Sequence, residues 1–210
     1  ILLEKDPGNP RITRLRWIQL LESDMNTGFK VIWGHRLLNK ATEMGLISDW
    51  QFGIRKGCMC ISAVLLKCLS YDCIRLQRST AVVLDNDMRA CYDRIVPSQA
   101  TLTTRRVGLA PRTASTMLEI LANTKFHVRT AYGVSPHSFQ NEPTSMILGL
   151  LQGSAAVGAV WALIWSVLFK CLESLPQPRF TSPRPDVYSS RHGEGFVDHT
   201  TLWEVDLNAS

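Results

Sequence analysis

The chain has 210 residues, 45% hydrophobic and 20% charged, enough to bury a real core in one or two domains and too apolar for a disordered tail. Its formal net charge of +5 suits a phosphate-bearing partner without requiring one. Six cysteines, Cys58, Cys60, Cys68, Cys73, Cys91 and Cys171, stand without a secretory leader, and four of them sit in apolar stretches where a reduced, packed thiol is the expectation.

Residues 1–20 open on the turn cluster Asp6-Pro7-Gly8-Asn9-Pro10. Basic and apolar residues then alternate imperfectly from Arg11 to Ile18, which predicts a short strand or hairpin presenting cations. From about Glu22 to Met44 the spacing of Phe29, Ile32, Trp33, Leu37 and Leu38 predicts a helix, with Gly45 as its stop. Gln51-Phe52-Gly53-Ile54-Arg55-Lys56-Gly57 is a glycine-punctuated basic loop, followed by a second helix to about Tyr71. The part of it from Ile61 to Leu69 reads as buried, and Cys58, Cys60, Cys68 and Cys73 have no common zinc-ligand spacing.

Thr80-Ala81-Val82-Val83-Leu84 reads as a buried strand that delivers Asp85 and Asp87 at its exit. Helices are predicted near 97–107 and 111–123, a strand near 125–131, and a loop or hairpin end over 133–142. A glycine-containing loop then leads into a long apolar helix ending near Leu172. Its most apolar part, 155–169, falls short of the roughly 20 residues a membrane span requires, so a buried helix is expected. Residues 176–185, rich in Pro, Ser and Arg, read as a surface linker. Gly195 to Trp203 reads as strand, two-residue turn, strand, with Asp198-His199 at the tip.

Two strands that each end in an acidic residue, within an α+β chain, make a platform for oxygen-ligated cations such as magnesium. Two ions about 3.5–4 Å apart can stabilise both the attacking and the leaving oxygen of a phosphoryl transfer. By themselves such aspartates are as readily turn or cap residues.

The order of motifs carries more. Asp87-Met88-Arg89-Ala90-Cys91-Tyr92-Asp93 is an aspartate, four residues, an aromatic and an aspartate. Gly149-Leu150-Leu151-Gln152-Gly153-Ser154 follows, and then Phe196-Val197-Asp198-His199. Upstream lie Arg14-Leu15-Arg16-Trp17-Ile18 and the Gln51–Gly57 loop. Taken in order, from roughly Glu4 to Trp203, they resemble the reverse transcriptases, particularly those of non-LTR retrotransposons and group II introns.

That resemblance implies an α+β right-hand polymerase: fingers-like residues 1–79, then palm over 80–210 with a fingers-like insertion at about 98–145. It implies an antiparallel palm sheet with packed helices, and no thumb. It implies RNA-directed DNA polymerase chemistry with two Mg2+ ions, or Mn2+, held by Asp87 and Asp198, with His199 a doubtful third ligand. Tyr92, Gln152, Gly153 and Arg16 would bind the nucleotide, and Arg55 and Lys56 the template. The partners would be an RNA or DNA template with its primer, deoxynucleoside triphosphates and the rest of a parent retroelement polypeptide. No membrane is implied, and the setting would be nuclear or cytoplasmic.

Two departures stand out. The Ser-Pro that usually follows the glutamine motif is replaced by Ala155-Ala156-Val157-Gly158, and His199 stands where the family has a second aspartate. Neutral imidazole prefers softer ions and brings no negative charge. An inactive relic that only binds nucleic acid is the alternative reading.

Overall fold

The computed structural model describes residues 2–4, 7–9, 11, 15–140, 149–150, 152–184 and 186–206; the side chains of 2, 4 and 15–17 fall outside that description. In chain order the elements begin with β1 (Leu2–Glu4), β2 (Leu15–Trp17), α1 (Ser23–Phe29), a π-helical stretch (Lys30–Leu37), α2 (Leu38–Glu43), α3 (Cys60–Gln77) and β3 (Thr80–Asp87). After a short turn at Cys91–Arg94 come α4 (Pro97–Arg106), α5 (Pro111–Asn123), β4 (Phe126–Thr130), β5 (Gly133–Phe139) and α6 (Val157–Glu173). The chain ends with β6 (Arg179–Thr181), β7 (Tyr188–Ser190), β8 (Gly193–Phe196) and β9 (His199–Asp206). They fall into two compact units, 1–40 with 92–160 and 41–91 with 161–210.

In the first unit β1 and β2 pair antiparallel, Leu3 opposite Arg16, giving the expected hairpin. The predicted long helix is present, its middle two turns π-helical. Phe29, Trp33 and Leu37 are buried at intervals of four, one face of the helix, with Phe29 and Trp33 edge to face at 5.1 Å. α4 and α5 each start on a proline, which lacks the N–H that a first helical residue leaves unpaired anyway. α5 buries Ala114, Met117 and Leu121. β4 and β5 form a hairpin that pairs Phe126 with Phe139, so β5 extends a region expected to be loop.

The second unit is built on an antiparallel sheet in the order β3-β9-β8. Register places Val83 opposite Trp203, Asp85 opposite Thr201 and Asp87 opposite His199. Side chains alternate between faces along a strand. One face therefore carries Ala81, Val83, Trp203 and Val205, which close over Phe180 and the α3 residues Cys73 and Ile74 as the core. On the other face Phe169 of α6 meets Gly195, and Trp165 Nε1 donates to Thr200 Oγ1 at 2.8 Å.

Several expectations change here. β3 is an edge strand, and Val82 and Leu84 are exposed rather than buried. α3 buries Ala63 and Ser70, while Ile61, Val64, Leu65 and Leu69 face outward. The helix is apolar nearly all round, so its periodicity could not choose a face; the sheet takes the side with small residues. Cys60, Cys68 and Cys171 are exposed as well, and Cys91 is buried. The expected linker contains β6, which pairs with β7 and buries Phe180. Among the described residues no helix is long and apolar enough to cross a membrane.

An ion pair sits inside this unit. Arg191 Nε lies 2.9 Å from Glu194 Oε2, with side-chain exposures of 0% and 3%. Trp203 Nε1 donates to the same oxygen at 2.8 Å, and the guanidinium also donates to Ser70 Oγ and lies 4.5 Å over Phe180. Such a network holds α3 to β8 and β9 because neither charge has another way to be solvated.

Candidate active site

The second unit brings Asp87 and Asp198 to the same end of neighbouring antiparallel strands. Asp87 closes β3 opposite His199, and the N–H of Met88 donates to the carbonyl of Asp198 at 3.1 Å, carrying the pairing one step further. The turn itself is Val197-Asp198, one residue earlier than the sequence suggested, so His199 begins β9 instead of sharing the tip. Asp87 and His199 are exposed and Asp198 half-buried.

Val197 adopts φ 58°, a left-handed conformation that a β-branched residue disfavours. The fold holds it there. Trp161 Nε1 donates to the Val197 carbonyl at 2.7 Å. Gly53 comes so close that a Cβ on it would sit 2.4 Å from the Val197 nitrogen. The loop containing Gly53 is fixed to β8, since Phe52 N donates to Gly195 O and Gly195 N to Trp50 O, both at 2.8 Å. The predicted basic loop is thus the support of the hairpin that carries Asp198.

Beside the pair lies Asp85, whose Oδ1 accepts from Lys67 Nζ at 2.5 Å and from Thr201 Oγ1 at 2.7 Å, with His199 Nε2 at 3.9 Å. The Lys67 ammonium holds this carboxyl below the ordinary aspartate range. Partial burial opposes the shift, and the Thr201 hydroxyl and the His199 ring add to it. Asp85 is therefore already engaged. Carboxylate oxygens such as those of Asp87 and Asp198 are the donor type that a magnesium-like cation takes. His199 brings no negative charge to this pair. Among the described residues no three His, Cys, Asp or Glu side chains converge as a metal site.

Tyr92, Gln152 and Gly153 belong to the first unit. Leu150 N donates to Tyr92 O at 3.1 Å, and Gln19 N donates to Gln152 O at 3.0 Å. The backbone N–H of Gln152 also bonds to the carboxyl of Asp93. Burial pushes that carboxyl up, and the Gln152 bond pulls it partly back. The motif glycines have a reason inside the protein. A Cβ at Gly149 would lie 2.5 Å from Asp93 Cα, and one at Gly153 would lie 2.0 Å from the Gln19 carbonyl. Both also have positive φ, 101° and 135°.

Arg16 lies in β2, and its side chain is outside the described residues, as is Leu151 of the glutamine motif. Arg55 turns into its own loop, donating to the carbonyls of Ser48 and Asp49 at 3.2 and 2.7 Å and to Asp49 Oδ1 at 3.0 Å. Lys56 is exposed. Sequence reasoning missed Lys67 and Thr201 beside Asp85. It also missed Asn26, which accepts from Ala155 N at 2.8 Å and donates to Gly153 O at 3.3 Å, pinning the glutamine loop. No local pattern marks these three, because their partners are distant in sequence.

Comparison with known proteins adds the fold. No family model and no curated protein sequence matches the chain. The solved structure of telomerase from Candida albicans, in complex with a fragment of telomeric RNA, matches 84% of this chain and 30% of its own, with a TM-score of 0.55 and 12% identity. Apo telomerase from Candida tropicalis matches 87% of this chain and 31% of its own at a TM-score of 0.45 and 12% identity, a looser likeness. The chain thus spans less than a third of either telomerase chain. At this identity the likeness speaks for fold alone: the fold is α+β, with antiparallel sheets and packed helices as the sequence predicts, and is similar to that part of the Candida albicans telomerase chain.

Proposed function

We propose that this chain is the catalytic-core portion of an RNA-directed DNA polymerase, of the kind found in non-LTR retroelements, weakened at one metal ligand. The observation that carries the reading is the delivery of Asp87 and Asp198 to one end of adjacent strands. RNA bound to the Candida albicans telomerase supports a nucleic-acid partner.

In this reading a primer 3′-hydroxyl attacks the α-phosphate of a deoxynucleoside triphosphate, pyrophosphate leaves, and an RNA or DNA template selects the base. Asp87 and Asp198 would hold the divalent ion, Mg2+ or Mn2+, which when bound neutralises phosphate charge and favours the hydroxyl as a nucleophile. Arg16 would meet the triphosphate with a planar fork of donors. Tyr92 would crowd a ribose 2′-hydroxyl, favouring deoxynucleotides, and Gln152 would hydrogen-bond the nucleotide. Lys56 would touch the template backbone, a role that Arg55 shares only by leaving Asp49. The rest of a parent polypeptide would supply the thumb.

The engagement of Asp85 by Lys67 and His199 favours a second reading, a chain that binds nucleic acid without extending it. Primer extension on an RNA template, in Mg2+ and then Mn2+, separates the two. We expect extension that Asp87→Ala lowers on the order of a thousandfold and His199→Asp raises. Binding without extension in the parent and in His199→Asp alike would leave the second reading standing.

A further inference from the structure

The β4–β5 hairpin of the first unit has two chemically different faces. Along β4 and the residue before it the sequence runs Lys125-Phe126-His127-Val128-Arg129, so the two-residue period of a strand sends the apolar side chains one way and the basic ones the other. Phe126 and Val128 are half-buried, and Phe126 stacks on Phe139 with ring centroids 5.4 Å apart. Lys125, His127 and Arg129 are exposed on the opposite, outer face.

The charge of that face has one sign. Neither β4 nor β5 contains an acid, and the register sets Ser138 opposite His127 and Val134 opposite Arg129. Among the described residues no ion pair involves Lys125 or Arg129. The spacing suits a polymer of anions: a β-strand rises about 3.3 Å per residue, which sets Lys125 and Arg129 roughly 13 Å apart along it, a span that three successive phosphates of a stretched nucleic acid cover. His127 Nδ1, between them, donates to the Ser135 carbonyl at 3.1 Å and is engaged within the hairpin, so the two long cations carry the charge. Tyr132, in the turn that joins the two β-strands, is fully exposed. A row of cations alone would serve to keep the edge of a small sheet from pairing with another chain. A large aromatic ring left wholly in water has no part in that, and it is what an unpaired base stacks on.

Resting on the nucleic-acid reading above, we propose that the outer face of this hairpin guides a single-stranded nucleic acid. Lys125 and Arg129 hold its phosphates along β4, and the Tyr132 ring stacks on one of its bases beyond the end of the row. An acidic peptide would match the cations and leave the ring unused. A duplex keeps its bases stacked on one another, with no face for Tyr132 to cover.

The test uses the whole chain and a fluorescent oligothymidylate, read by anisotropy over a range of salt. Lys125→Gln combined with Arg129→Gln is expected to weaken binding and to flatten the slope of log affinity against log salt by about 1.4. Lys30→Gln combined with Arg36→Gln removes the same charge from the π-helical stretch and should leave the slope unchanged. Tyr132→Ala should weaken binding about tenfold with the slope kept, and Tyr132→Phe should bind like the parent. Parent affinity and slope that the hairpin variants leave unchanged would overturn the proposal, and Asp87-dependent extension by the same variants would then leave the polymerase reading intact. Equal losses in the two charge pairs would overturn it in favour of net charge alone, and a duplex competing as well as the single strand would overturn it in favour of a duplex surface. A parent that neither binds nor extends would remove both.

Discussion

Asp85 and Asp93 show opposite effects of setting on one side chain. Asp85 is held low chiefly by Lys67, so its pairing contributes stability above the ordinary aspartate range and loses it as pH falls through the lower folded value. Asp85→Asn should therefore lower the unfolding free energy at pH 7 by less than about 1 kcal/mol for so exposed a pair, read by urea titration, and the deficit should fade in acid. Asp93 is pushed up by burial, so its charge costs stability at neutral pH and the cost vanishes below the unfolded value. Asp93→Asn, whose amide oxygen can still accept from Gln152, should raise the urea midpoint at pH 7 and leave it unchanged near pH 3. At His199 the expected readout is metal: Mn2+ should raise the melting temperature of His199→Asp more than that of the parent, because a third carboxylate tightens the ion. Equal shifts would show that the third position takes no part in binding.

At the scale of elements, the β8–β9 hairpin carries Asp198 on a turn whose first residue is strained. Val197→Gly should cost no stability, since glycine accepts φ 58°, yet it should blur the position of Asp198 and lower primer extension. Trp161→Phe removes the donor to Val197 O and should cost roughly 1 kcal/mol in a denaturant titration. Much of this scaffold was legible. Proline at the first helical position marked α4 and α5, and the run 80–84 marked β3. The burial of α3 was not legible, because Ile61, Val64, Leu65 and Leu69 suggest a core that the sheet does not supply. β6 was hidden because one apolar residue, Phe180, sits among prolines and arginines. At the site, the spacing of Asp87 and Asp198 within their motifs was readable. Lys67, Thr201 and Asn26 were not, since they reach partners 18, 116 and 127 residues away.

At the scale of the molecule, the buried Arg191–Glu194 pair tests what holds the second unit together. Arg191→Met strands a carboxylate in the core and should cost about 3–5 kcal/mol in urea unfolding, whereas adding Glu194→Gln should restore part of it. A double variant no better than the single one would place the cost in lost packing over Phe180. Both units are assembled from separate stretches, the chain crossing between them after Lys40, Cys91 and Val160. Neither is therefore a contiguous piece of gene. A cut after Cys91 leaves β3 in one fragment and its hydrogen-bonding partner β9 in the other, each half carrying an incomplete version of both units. Such halves should be unfolded apart and regain structure only on mixing, which makes the chain a candidate for split-protein complementation, with reassembly read directly as recovered β-sheet.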